Sequence, residues 1–305
     1  MRNTFLKTLL EEAKKDERIW CVTADVGFSV LEPFSEKFPD RFLNVGIAEQ
    51  NAVGIAAGLA LNGKIPYVYS IIPFAVSRPY EQIKVDVAYM NTNVRIVGIG
   101  AGFSYGSAGA THHALDDIAI MRALPDMAVC CPGSLNETEA LVRYSVRHRG
   151  AMYLRLGKSG EPRYDYHVEF GKFSTVVDGT DFAIITTGTI LESGYALTEQ
   201  YHKEGKSPLL LSAHTIKPLD TLKINELINS GMPIVTMEEH NLIGGLASAV
   251  SEVIAVSGKS VKFLPIGVPD TFSHFVGDRN FIADQTGIGT ERSKQRIDAF
   301  LKECR

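Results

Sequence analysis

Glu49 stands where a carboxylate can do chemistry. The run Asn44-Val45-Gly46-Ile47-Ala48-Glu49 ends a strand in a glycine turn and puts an acid at the start of a helix. Acids are common there, because the helix dipole and the free N–H groups of the first turn favour them. The helix that follows is less ordinary. From Asn51 to Ala60 it is almost wholly small and apolar, and Gly54 and Gly58, four apart, share one face. Each glycine costs about 1 kcal/mol of helix stability relative to alanine. A glycine face lets another backbone come close, and a helix apolar all round must be buried. Glu49 is therefore expected where buried surfaces meet, two subunits among the options. A carboxylate in such a place needs a partner for its charge or its proton.

A second group lies in a glycine-rich loop. Gly98-Ile99-Gly100-Ala101-Gly102 leaves a strand, Thr111-His112-His113 follows, and Asp116-Asp117 opens a helix. This is no dinucleotide fingerprint, since position 103 is not glycine and no helix begins there. Nor is it a metal site: adjacent histidines diverge, and no third ligand is evident. His112 is either a surface residue or a group suited to proton transfer near neutral pH. Phe74, just past a strand, reads by itself as core. Arg78 is placed to meet an anionic substrate, or to pair with Glu81 or with neighbours on the Glu49 side. Asp25 and Ser29 follow one strand and Arg155 ends another, where open α/β sheets put ligands. The plain alternatives are a turn-forming Asp and a surface Arg.

The elements that must hold these groups alternate. Apolar segments at 19–23, 42–45, 65–71, 94–99, 127–131 and 152–156 read as strands, with helices at 49–61, 80–90, 116–123 and 136–148. Strands separated by helices imply a doubly wound, mostly parallel sheet. The polar, turn-rich stretch 157–167 reads as a linker. A second alternating set follows, with strands at 182–186, 209–212, 234–237 and 261–266. Two α/β domains are expected, at 1–165 and, smaller, at 172–305.

Composition fits a globular chain: 305 residues, 45% hydrophobic and 22% charged, enough to bury a sizeable core. A formal charge of -4 with no long Lys/Arg run argues against nucleic acid or anionic membrane as partner. The N-terminal stretch reads as an amphipathic helix and not a signal peptide, and no apolar segment is long enough to span a bilayer. Cys21, Cys130, Cys131 and Cys304 form no CxxC pair. Cys130 and Cys131 read as strand packing, and a reducing, cytoplasmic setting is expected.

Segment 44–62 resembles the glutamate-bearing helix of the transketolase superfamily, whose members use thiamine diphosphate. The run from Ser70 to Ile83 resembles that family's post-strand segment, and Thr111-His112 its substrate loop. Glu238-Glu239-His240 followed by Gly244-Gly245 resembles its C-terminal domain. The resemblance runs through nearly the whole chain in order. It implies that Glu49 holds a proton against the aminopyrimidine ring nitrogen, with Phe74, Ile71 and Asp25 also toward the cofactor. It implies that His112 acts in catalysis, and that Ser29, Arg78, His112 and Arg155 meet substrate. No catalytic part is implied for the Glu238-Glu239-His240 run.

The departures are informative. Ile71 and Ser77 stand where relatives often carry further aromatics. Ala108 replaces an acid that contacts the donor's hydroxyl, and Gly100 lies about where transketolases have a phosphate-binding histidine. Ordinary sugar-phosphate donors are thereby less expected than modified ones. The family's Gly-Asp-Gly and following Asn, which bind Mg2+ and diphosphate, are missing; Gly277-Asp278-Arg279-Asn280 lacks the final glycine. The resemblance thus implies an N-terminal transketolase subunit as partner, an α2β2 assembly, and transfer of a two-carbon ketol unit between sugars. The alternatives are a 2-oxo acid dehydrogenase β-type or decarboxylase subunit, and a non-catalytic assembly subunit.

Overall fold

A computed structural model describes residues 1–304. The strands are β1 (Ile19–Thr23), β2 (Phe42–Asn44), β3 (Ile65–Ile71), β4 (Arg95–Ile99), β5 (Ala128–Cys130), β6 (Met152–Leu156), β7 (Ser174–Val177), β8 (Ala183–Thr187), β9 (Leu209–Ser212), β10 (Thr215–Lys217), β11 (Ile234–Asn241) and β12 (Phe263–Val268). They build two sheets, ordered β10-β5-β6-β4-β3-β1-β2 and β12-β11-β8-β9-β7. All pairings are parallel except β10 on β5 and β7 on β9. This is the expected two-part, mostly parallel α/β architecture. Every residue of β4 and β6 is buried, as strands covered on both faces require, and apart from Arg95 and Arg155 they read as apolar runs.

Three features differ from expectation. β7 and β10 show no apolar run in sequence. β10, moreover, comes from beyond the linker yet extends the first sheet, pairing with Val129 and Cys130. One apolar core accordingly runs through both parts, joining Ile118, Met127 and Cys131 to Ile185, Leu211 and Leu246. Finally, the helix expected at 80–90 is a short α-turn, Tyr80–Gln82, continued in wider i→i+5 turns over Ile83–Tyr89. Similar wide turns span Pro73–Ser77. Pro73 and Pro79 donate no N–H, which breaks the regular ladder, and such wide turns often lie beside functional sites.

The N-terminal helix Arg2–Ala13 buries Phe5, Leu6 and Leu9, as its pattern predicts. Burial pushes the Cys130 thiol up to about 12, in keeping with a packing role. Among the described residues no helix is long and apolar enough to cross a membrane.

Part of the junction between the two halves is polar. Glu238 caps the helix Leu246–Ser257, accepting from the N–H of Leu246 at 2.7 Å and of Ala247 at 2.9 Å. His240 reaches the first half, its Nε2 3.4 Å from the N–H of Ala119. Both side chains are fully buried. Burial pushes the Glu238 carboxyl up to about 7 and the His240 imidazole down to about 4. A raised carboxyl stabilises the fold fully below its ordinary 4.5, and loses that contribution as pH rises through about 7. A depressed imidazole stabilises above its ordinary 6.5, and loses that contribution as pH falls through about 4. The two slopes oppose each other. Urea unfolding against pH should therefore show Glu238→Gln gaining about 3 kcal/mol on the wild type between the lower and upper ends of that window. His240→Asn should lose about as much over the same climb. Parallel curves for either variant and the wild type would contradict the assignment.

Candidate active site

Glu49 begins the helix Glu49–Leu61 directly after the Gly46 turn, where φ is 74°. It is 6% exposed, and both carboxylate oxygens accept from Nη1 of Arg78, at 2.9 and 3.0 Å. The Arg78 side chain is 48% exposed, and its guanidinium lies 4.3 Å above the centre of the Phe74 ring. Phe74 in turn meets the His112 ring edge-on at 5.1 Å. Four of the expected site residues, distant in sequence, thus form one connected group. Of the two pairings open to Arg78 within the chain, with Glu81 or on the Glu49 side, it takes the second.

This arrangement tests whether a flat nitrogen heterocycle suits the site. The guanidinium is planar, carries N–H donors, stacks on Phe74 and bonds to Glu49. An aminopyrimidine is likewise planar and aromatic, but its ring nitrogen accepts where the guanidinium donates; with Glu49 protonated, the residues fit the group the resemblance implies. Arg78 must withdraw for a heterocycle to take that position.

The neighbouring elements fix the surroundings. Ile71 ends β3 and is half-buried. Asp25 follows β1 with φ at 54°, held by Asn44, whose Oδ1 accepts from the Asp25 N–H at 3.0 Å. Asn44 Nδ2 donates back to the Asp25 carboxylate at 3.1 Å. Asn44, unassigned from sequence, therefore ties the ends of β1 and β2 together beside Glu49. Thr111 Oγ1 lies 3.0 Å from His112 Nδ1 and steadies that ring. His113 turns the opposite way, edge-on to Phe103 at 5.0 Å, and burial lowers its pKa. Adjacent histidines diverge, as expected.

Two further residues went unnoticed in sequence. Tyr105 has its ring 6.3 Å from that of His112, and the Lys158 ammonium sits 4.7 Å over the Tyr105 ring. Lys158 belongs to the stretch read as linker, and only its place two residues past β6 hints at a site. Ser29 is not brought into the group. It is exposed, with φ at 61°, and lines a cleft of about 460 Å³ with Asn3, Lys7 and Lys14.

Arg155 requires a correction. It was expected to meet the substrate's anion, but it is 1% exposed and locked inside. Its Nε donates to Asp117 at 2.7 Å, and its Nη2 donates to the carbonyls of Ala114 at 2.8 Å and Glu239 at 3.1 Å. Tyr153 donates to the same Asp117 carboxylate at 2.7 Å. With Nε and Nη2 committed to internal acceptors, this guanidinium holds helix, loop and C-terminal half together.

The group is open to one side. Helix Glu49–Leu61 buries Ala52, Val53, Ala56 and Ala57, but nothing lies within 4 Å of where Cβ atoms on Gly54 and Gly58 would sit. Ile47 and Leu61 are exposed on either side of them. Within the single chain this helix is buried on one face. A larger cleft of about 980 Å³, lined by Arg122, Lys217, Val253 and Val256, contains no member of the group. Among the described residues no cluster of His, Cys, Asp or Glu is arranged as a metal centre needs.

With fold and site in view, comparison with known proteins is direct. Residues 1–162 match the transketolase pyrimidine-binding domain and residues 171–284 the transketolase C-terminal domain. The chain belongs to the transketolase family, as the part of the enzyme formed by those two domains. It is 39% identical to one of the subunits of the apulose-4-phosphate transketolase of Phocaeicola vulgatus, over 88% of this chain and 87% of that one. It is 34% identical to a 6-deoxy-6-sulfo-D-fructose transketolase subunit of a Clostridium species, over 94% and 90%. Among solved structures it resembles a split-gene transketolase captured as an inactive β4 tetramer, with TM-score 0.90 and 31% identity, covering 99% of this chain and 98% of that one.

The buried Arg155–Asp117 pair gives a test of its structural role. Asp117→Ala leaves a buried cation without its partner and should cost about 3–5 kcal/mol in urea unfolding. The double change Arg155→Met with Asp117→Leu should cost less than the single one. A double variant at least as unstable as Asp117→Ala would show the pair to be more than a charge and its counter-charge.

Proposed function

We propose that this chain is the second subunit of a split transketolase, moving a two-carbon ketol unit between sugars. On this reading it works only with another polypeptide that supplies the diphosphate and Mg2+ site. The observation that carries it is the stacked, doubly bonded Arg78 between Glu49 and Phe74, a ready seat for an aminopyrimidine. Thiamine diphosphate, when bound, supplies the carbanion chemistry that no side chain offers.

The chain's own residues have the remaining roles. Glu49, in a site sheltered from water, holds a proton against the ring nitrogen. Phe74, Ile71 and Asp25 are the further residues that would hold the cofactor. His112, steadied by Thr111 and edge-on to Phe74, moves a proton at the sugar's oxygen. Arg78, once displaced, is free to meet an anionic substituent, and Ser29 is the more distant candidate for a substrate phosphate. The 1–165 part carries this chemistry and the 172–305 part supports it.

Several observations support the need for a partner. The Glu49 helix leaves its glycine face uncovered, and no acidic cluster for Mg2+ is assembled among the described residues. Self-association over the glycine face together with an N-terminal subunit gives an α2β2 enzyme. Ala108 and Gly100 favour a modified sugar over an ordinary sugar phosphate. The relatives just named act on two such different sugars. A cytoplasmic setting goes with this chemistry.

The test is reconstitution with the polypeptide bearing Gly-Asp-Gly and Asn, using apulose 4-phosphate, 6-deoxy-6-sulfofructose and fructose 6-phosphate as donors. Ketol transfer to an aldose phosphate is expected with at least one of them, without release of CO2. Thiamine diphosphate binding by this chain alone, followed by calorimetry, should be negligible. Glu49→Gln should lower kcat by at least about 100-fold. Full activity in Glu49→Ala would end the proposal, and CO2 release would move it to a decarboxylating relative.

A further inference from the structure

The loop that carries His112 has little regular structure to hold it. It turns through positive φ at Gly100, Gly102 and Gly109, and its ends are held by the Gly102–Ala114 bridge, by the N–H groups of Gly100 and Ala101 on the Leu156 carbonyl and by Arg155 on the Ala114 carbonyl. A proton-transfer group on such a loop acts at a fixed distance only if something else braces the chain. Between those ends, at Phe103, the bracing comes from the other half of the molecule.

Glu239 lies on β11 and is 1% exposed. Its Oε1 accepts from the N–H of Phe103, inside the loop, at 2.7 Å. Its Oε2 accepts from Thr189 Oγ1 at 2.9 Å and from Arg279 Nε at 2.8 Å, with Arg279 Nη2 at 2.7 Å. Both oxygens are thus occupied and the negative charge is answered, so the carboxylate has one orientation and a strong hold on the loop's N–H. The sequence makes room for it. A Cβ on Gly102 would overlap the Glu239 side chain, and one on Gly106 would come 2.6 Å from the carbonyl of Gly277. Phe103, held by its N–H, is the ring on which His113 rests. His113 is the immediate neighbour of His112.

We infer that Glu239 is a positioning residue for the His112 loop, held in place by Arg279 and acting through Phe103 and His113. The inference rests on the transketolase reading of the site, but concerns the one carboxylate of the Glu238-Glu239-His240 run that reaches toward it. Glu239 touches neither His112 nor the expected place of substrate, and its effect is on where the histidine stands.

Hydrogen exchange of the reconstituted enzyme, followed by mass spectrometry across 101–114, tests this independently of turnover. Glu239→Ala removes the hold. Glu239→Asp keeps the charge for Arg279 but shortens the reach to Phe103, so it remains informative should the alanine variant not fold. Either should raise exchange of that segment about tenfold above any change elsewhere in the chain. Thr189→Val, which leaves the loop bond intact, should stay at the wild-type level. Ketol transfer from whichever of the three donors is active should fall about 10-fold or more in kcat, with the acceptor KM within about twofold. Glu239→Gln, which keeps an acceptor for Phe103 but turns an amide N–H2 toward Arg279, should fall between the wild type and Glu239→Ala in both exchange and rate. Unchanged exchange in the loop, or a rise spread evenly over the chain, overturns the inference. A selective rise in the Glu239 variants, beside a wild-type protein that transfers no ketol unit, would instead leave the bracing standing and remove the proposed reaction.

Discussion

A carboxylate almost out of water governs this molecule. Glu49 is nearly buried at the head of a helix with no other charge along it, and its burial is tolerable because one guanidinium meets both of its oxygens. Desolvating an ion costs several kcal/mol unless a partner is supplied. Everything around Glu49 can be read as meeting that demand. The Asn44 clasp fixes the strand ends, Phe74 gives the guanidinium a face to lie on, and the wide turns over Pro73–Ser77 aim Phe74 and Arg78 at one spot.

The same constraint recurs at three more places, two of which join the halves, through Arg155 to the Glu239 carbonyl and through Glu239 to the Phe103 N–H. Asp117 and Arg155 pair in the interior, Glu239 and Arg279 pair behind the histidine loop, and Glu238 caps a helix with two N–H bonds. Apolar surface alone would hold the halves together in many registers. Buried polar groups have directions, and these leave one arrangement that satisfies them all. The Glu239 contact extends that discipline to the loop bearing His112.

Much of this was legible in residue order. Alternating apolar runs marked β1, β3, β6 and β9 at their true limits, and the glycine-spaced helix after Asn44 pointed to Glu49. β7 and β10 escaped notice because Ser174-Thr175 and the Thr215 and Lys217 flanking Ile216 leave no apolar run, and their pairing depends on distant partners. Arg155 was misjudged for a physical reason: a strand-end arginine looks the same whether it faces solvent or an internal acid. Only the fold reveals Asp117 opposite it. Lys158 and Tyr105 meet through tertiary packing across the loop, for which neighbouring residues give no sign.

The crossing of β10 into the first sheet bears on how such a gene can be divided or fused. A cut at the linker would strip β5 of its outer neighbour and leave a bare row of backbone donors and acceptors, an invitation to pair with whatever strand comes next. The two halves are therefore poor candidates for exchange as separate cassettes. Recombination that respects the architecture has to carry them together, with the break elsewhere.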